Sequence, residues 1–258
     1  MTTQDERWSV DVDDLGPIPG EDRPKICATR YEPRDPSTIP PRRWLYDRRL
    51  ISRFVSLTVS PGGVGKSSLT LVEAMAMVTG QPLLNASPAR PLRVWCWNGE
   101  DPNEETARRI EAIRLHYQIS ADDIGGRLFT GSGRKTPIQL AAQDRSGLVI
   151  ARPIVEELVE AIEADEIDVL IIDPFVTTHS VSENDNGAIN AVVALWREIA
   201  DRTGCAVELV HHTVKLGGAR GSSEDHGIAQ ARGASALVDG VRNARFLAPM
   251  SKEDASRA

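Results

Sequence analysis

From Arg53 onward the chain alternates short apolar runs with amphipathic stretches, the pattern of a mostly parallel sheet covered by helices on both faces. Strands are predicted over 54–59, 93–98, 169–173, 207–211 and 244–248, each short and rich in apolar or β-favouring residues. Between them Ile154, Val155, Leu158, Val159 and Ile162 recur at helical spacing, as do Ile189, Val192, Val193, Trp196 and Ile199. Each set forms one stripe that a helix buries against the sheet. Residues 67–78 are apolar on nearly every face, as suits a central helix packed between the sheet and its neighbours. The expected architecture is a three-layer α/β sandwich over 39–258. Residues 1–38, rich in Pro, Asp, Glu and Arg without sustained periodicity, read as an irregular N-terminal arm.

A length of 258 residues suits one large α/β domain with a short appendage. The net charge of −7 argues against a protein that coats nucleic acid through overall charge, and leaves only a local basic strip or loop for phosphate contact. Cys27, Cys96 and Cys205 fit neither a disulfide framework nor a zinc site and read as reduced thiols. The acidic N-terminus lacks a signal-peptide pattern and no apolar run reaches membrane-spanning length, so the expectation is a cytoplasmic protein with no membrane partner.

The run Ser60, Pro61, Gly62, Gly63, Val64, Gly65, Lys66, Ser67, Ser68 sits between a predicted strand and a predicted helix, the context a phosphate-cradling loop requires. Glycines let successive N–H groups turn inward, and the helix N-terminus adds its positive dipole end. In such a loop Lys66 reaches the β- and γ-phosphates of ATP, and Ser67 ligates Mg²⁺. Ser60 stands where the G-x-x-x-x-G-K-S/T pattern has its first glycine.

The predicted strand over 169–173 ends in Asp173 at the sheet's C-terminal edge, where a carboxylate supports magnesium through water. Pro174 and Phe175 follow, and neither can act as a base. Glu100, just past the strand over 93–98, is therefore the candidate to orient and deprotonate the attacking water. His211 and His212 end another strand at the same edge. His212 is the preferred γ-phosphate sensor, although adjacent strand positions face opposite sides and either histidine fits the pattern.

With these residues in place the chain resembles the RecA-like P-loop ATPases, and within them hexameric replicative helicases of the plasmid RepA type. The resemblance runs from about Ile39 to Phe246. It rests on Ile39-Pro-Pro-Arg-Arg-Trp44, the phosphate loop, Gly99-Glu-Asp-Pro102, Asp173-Pro-Phe175, Glu183-Asn-Asp-Asn186, His211-His-Thr-Val-Lys215 and Arg232-Gly-Ala-Ser-Ala-Leu237. It implies a RecA-like fold, a homo-oligomer in a hexameric ring with ATP at each interface, and hydrolysis that depends on the glutamate matching Glu100. It also implies an arginine acting on the neighbour's γ-phosphate, matched by Arg232, with Arg242 and Arg245 as alternatives. Relatives of this kind usually continue past the last strand, whereas this sequence stops at Ala258.

The glycine-rich stretch 213–231 reads as a loop, and Lys215 and Arg220 within it are candidates to contact single-stranded DNA, with Glu224 and Asp225 offsetting part of their charge. A second basic cluster, Arg42, Arg43, Arg48, Arg49 and Arg53 with Trp44 and Tyr46, fits nucleic acid, a nucleotide site or a subunit interface. The leading reading is an ATP-driven DNA helicase or replication ATPase. A regulatory ATPase that moves no DNA is a second reading, and a P-loop kinase acting on a small acceptor ranks last.

Overall fold

The computed structural model describes residues 27–144, 147–213, 235–250 and 256. Arg232, Lys215 and Arg220 lie outside the described residues. The chain groups into two compact units, Met1–Pro41 and Arg42–Ala258. The described part of the first is irregular apart from a 3-10 turn over Pro36–Thr38, where Asp35 Oδ1 accepts a hydrogen bond from the Ser37 N–H at 2.9 Å.

The second unit opens with a small antiparallel hairpin, β1 (Trp44–Tyr46) and β2 (Leu50–Ile51). It continues with β3 (Val55–Pro61), α1 (Lys66–Thr79), β4 (Val94–Asn98), α2 (Asn103–Tyr117), α3 (Ala121–Ile124) and β5 (Leu128–Ser132). A minor sheet of β6 (Ala141–Asp144), β7 (Gly147–Ile150) and β9 (His179–Ser180) brackets α4 (Arg152–Ala164) and β8 (Val169–Asp173). The chain then forms α5 (Asn186–Thr203), β10 (Ala206–Thr213), a short helix over Ser235–Asp239 and β11 (Asn243–Phe246).

Six strands make the central sheet in the order β11-β3-β10-β8-β4-β5, and every pairing in it is parallel. Because successive side chains point to opposite faces, each strand feeds two cores. Val55, Leu57, Val59, Leu170, Ile172, Val207 and Leu209 join Val155, Leu158 and Ile162 of α4 and Ile189, Val192, Trp196 and Ile199 of α5. On the other face Val94, Cys96, Val169, Ile171, Ala206 and Val210 meet Leu71, Ala74 and Met75 to Val78 of α1. This is the three-layer sandwich expected, with the two amphipathic stripes on α4 and α5 and the apolar helix as α1.

Two elements of this framework escape the apolar pattern. The edge strand β5 reads Leu-Phe-Thr-Gly-Ser and buries only Ser132 fully. Of the fifteen residues of α2, only Thr106 and Ile110 are buried. Cys96 and Cys205 are free thiols inside the two cores, and burial pushes the Cys96 thiol up to about 12, so it stays protonated. Among the described residues no helix is long and apolar enough to cross a membrane.

Candidate nucleotide site

The phosphate loop leaves the C-terminal end of β3 and enters α1 through Gly65, the N-cap residue, with φ of 91° and no side-chain cap. The first-turn N–H groups of α1 are therefore left facing the loop, an arrangement suited to an anion. Gly63 also takes a left-handed backbone, with φ of 80°, which costs glycine little and other residues more. A Cβ added at Gly62, Gly63 or Gly65 would meet nothing within 4 Å, so at Gly63 and Gly65 it is backbone conformation rather than crowding that favours glycine. Ser60, in contrast, is not among the positive-φ residues. The loop's first position needs no glycine, which is the physical reason the departure from the pattern is tolerated.

Ser60 has its own contacts. Its hydroxyl accepts a hydrogen bond from Lys66 Nζ at 2.9 Å, and the same ammonium donates to the carbonyls of Ser60 at 3.2 Å and Pro61 at 3.0 Å. Lys66 is only 3 % exposed. Burial lowers its pKa, while the carboxylates of Asp173 and Glu100 pull it back up. A buried ammonium held on its own loop's oxygens fits phosphate oxygens as replacement acceptors.

Asp173 ends β8 opposite Asn98 of β4. Its residue is 7 % exposed, and among the described residues its carboxylate forms no hydrogen bond or ion pair. A shielded carboxylate of this kind fits a hard cation. Ser67, Asn98, Thr106, Arg109 and Asp173 line one cleft beside the loop. Sequence reasoning missed Asn98, Thr106 and Arg109. The only available signal was their position, at the end of β4 and on the first turns of the polar helix that follows it.

Asn98 shapes the turn that carries Glu100. Its side-chain oxygen accepts from the N–H of Glu100 at 2.9 Å and of Asp101 at 2.6 Å, turning the chain sharply as the strand ends. Gly99 donates its N–H to the Asp173 carbonyl at 2.9 Å, and a Cβ there would lie 1.9 Å from Thr177 Oγ1, so only glycine fits. The Glu100 and Asp173 loops are thus pressed together. Arg134 donates from Nε to the Glu100 carbonyl at 2.6 Å, and Arg109 pairs with Asp101 and Glu105, both at 3.0 Å.

The two histidines separate by face. Glu208 on β10 bonds Thr58 and pairs with Arg49 on the α1 side of the sheet, whereas Leu209 packs with the α5 core. By strand alternation His212 lies on the α1 face, in register with Ser60. His211 takes the opposite face, where Phe175, Glu183, Asn186, Ile189, Ala236 and Leu237 surround it. Among the described residues its Nδ1 has no hydrogen-bond partner, and it lies 3.9 Å from Glu183 Oε1.

Of the alternative arginines, Arg245 is internal. It donates to both oxygens of Glu73 on α1, at 2.6 and 2.7 Å, and to Thr58 Oγ1 at 2.7 Å. Arg242 lies over the Phe54 ring at 5.4 Å. The basic cluster near the start of the domain is similarly dispersed, with Arg49 buried against Glu73 and Glu208, Arg53 on Asp201 and Arg43 on Asp168.

A strand, glycine-rich loop and helix carrying Gly65-Lys66-Ser67, on a parallel sheet in which β8, separated from β3 by β10, ends in Asp173, define a P-loop ATPase. A family model described as an AAA domain matches residues 22–218, well over half of the chain, and the chain belongs to that family.

Proposed function

We propose that this P-loop ATPase hydrolyses Mg-ATP as a ring of identical subunits of RepA type, moving along single-stranded DNA. The observation that carries the chemistry is the gathering of Lys66, Ser67, Asp173 and Glu100 on one sheet edge, with the Asp173 carboxylate shielded and, among the described residues, free of hydrogen bonds.

In this reading the loop N–H groups and Lys66 bind the β- and γ-phosphates, and Lys66 leaves the Ser60 and Pro61 oxygens to do so. Ser67 and Asp173 hold Mg²⁺, which supplies neutralisation of charge developing on the phosphate oxygens. Glu100 accepts a proton from the attacking water, and His212 on the α1 face reads the γ-phosphate. Arg109, Arg134 and Arg245 are each already engaged with groups of their own chain. That supports an arginine delivered across a subunit boundary, for which Arg232 is the candidate, coupling hydrolysis to assembly. Lys215 and Arg220 are the candidates for DNA phosphates.

The test of the ring and of DNA is phosphate release from Mg-ATP across protein concentration, with and without single-stranded DNA, for the wild type and Arg232→Ala. Turnover per subunit should rise with concentration and with DNA, and Arg232→Ala should lose both responses. Turnover indifferent to concentration and DNA would leave an ATPase of regulatory kind and remove the motor.

A further inference from the structure

On the face of the sheet turned toward α4, a cavity of about 290 Å³ opens between the edge strand and that helix. It lies near the lower end of the size range for small-molecule sites, roughly 300–1,000 Å³. Trp95 and Trp97 of β4 form one wall, Ile154 and Leu158 of α4 another, and Glu157 stands at the rim. The cavity exists for identifiable reasons. β5 is the last strand of the sheet, so no further strand closes that side. The position opposite Trp97 is Gly131, where a Cβ would lie 2.8 Å from Trp97 Cδ1 and 3.1 Å from Trp95 Nε1. Glycine there lets both indoles lie side by side along the wall.

The polar groups are few and specific. Trp97 donates its indole N–H to the Thr136 carbonyl at 3.2 Å, fixing that ring. Trp95 Nε1 has no hydrogen-bond partner among the described residues and remains a donor beside the cavity. Glu157 is exposed and has no ion pair among the described residues. Indole faces attract cations, and a carboxylate across from them adds charge of the matching sign. The same sheet face already holds one such contact, with the Arg93 guanidinium 5.0 Å from the ring centroid of Phe129, the residue paired with Trp95. Arg93 is committed there and to the Asp165 carbonyl. The neighbouring indoles carry no cation of the described chain.

We propose that this cavity is a second ligand site, for a small organic cation: an ammonium or guanidinium group on an apolar body, the body against Ile154 and Leu158 and the charge between the indoles and Glu157. Trp97 also lines the cleft that holds Ser67 and Asp173. A ligand in the cavity therefore rests against a residue of β4 that also borders the nucleotide cleft.

Titration of the full-length protein with benzylamine, protonated at neutral pH, against benzyl alcohol as its neutral counterpart tests this without nucleotide, read from tryptophan emission. Benzylamine should give a saturable change at about tenfold lower concentration than the alcohol, the strength of a partly desolvated cation–π contact. Glu157→Gln, a surface change that leaves the core intact, should bring the two probes to within about threefold. Trp95→Phe should remove most of the signal. Equal response to both probes, a linear response without saturation, or a benzylamine response untouched by Glu157→Gln and Trp95→Phe would each overturn the proposal.

Discussion

Burial pushes the pKa of the His211 imidazole down to about 4, and the charges of His212, His179 and Lys66 push in the same direction. In the unfolded chain the same group titrates near ~6.5. Between these values the unfolded state binds more protons than the folded one, so stability rises with pH through this window and is lost as pH falls through it. Glu183 Oε1 lies 3.9 Å from the His211 Nδ1. Lowering the pH from about 6.5 to about 5 should cost roughly 1.5 kcal/mol through this residue. His211→Gln should flatten that part of the profile relative to the wild type in urea titrations; an unchanged slope would mean that the imidazole is already charged in the fold. At this scale the sequence named candidates for the chemistry but not which face each takes. Strand alternation told that His211 and His212 differ, and only the register of β10 against β3 assigns His212 to the phosphate loop.

Among the elements, α1 is tied to the sheet by ions as well as by its apolar faces. Glu73, two turns past the phosphate loop, is chelated by Arg245 of β11 and also meets Arg49. Burial pushes the Glu208 carboxyl up, opposed chiefly by Arg49 and by the Thr58 hydroxyl. Removing one partner of a buried pair leaves a desolvated charge and costs about 3–5 kcal/mol. Because Arg49 still faces Glu73, Arg245→Ala should cost about 2 kcal/mol, seen as a lower urea midpoint at unchanged m-value. Arg245→Lys should recover little, since an ammonium cannot make the two parallel bonds. A loss below about 0.5 kcal/mol would place the pair among weak surface contacts. None of this was visible in the sequence, where Glu73 and Arg245 stand 172 positions apart. The α4 and α5 stripes were legible because each helix buries one continuous face. Helix α2 was not, because it buries only two side chains and carries six Glu and Arg residues along its length, and β5 was not, because an edge strand that carries Gly131 has no apolar alternation to read.

Across the whole molecule, the sheet order brings the ends of β3, β8, β4 and β10 together, so the residues at those ends, from Ser60 to His212, lie along one edge. The loop, Asp173 and Glu100 could be named beforehand because each follows a run of apolar strand residues, and the parallel fold requires such ends to converge. The Trp95 and Trp97 cavity could not, because it depends on a missing neighbour at β5 and on the path of α4. The proposed hydrolysis turns on Glu100. The decisive measurement is steady-state phosphate release by Glu100→Gln beside its affinity for a fluorescent ATP analogue, both against the wild type. Analogue binding should stay within about threefold of wild type while turnover falls by about 10²-fold or more, the loss expected for removal of a general base. Turnover within a few-fold of wild type would contradict this role of Glu100 and move the base to another carboxylate of the same edge.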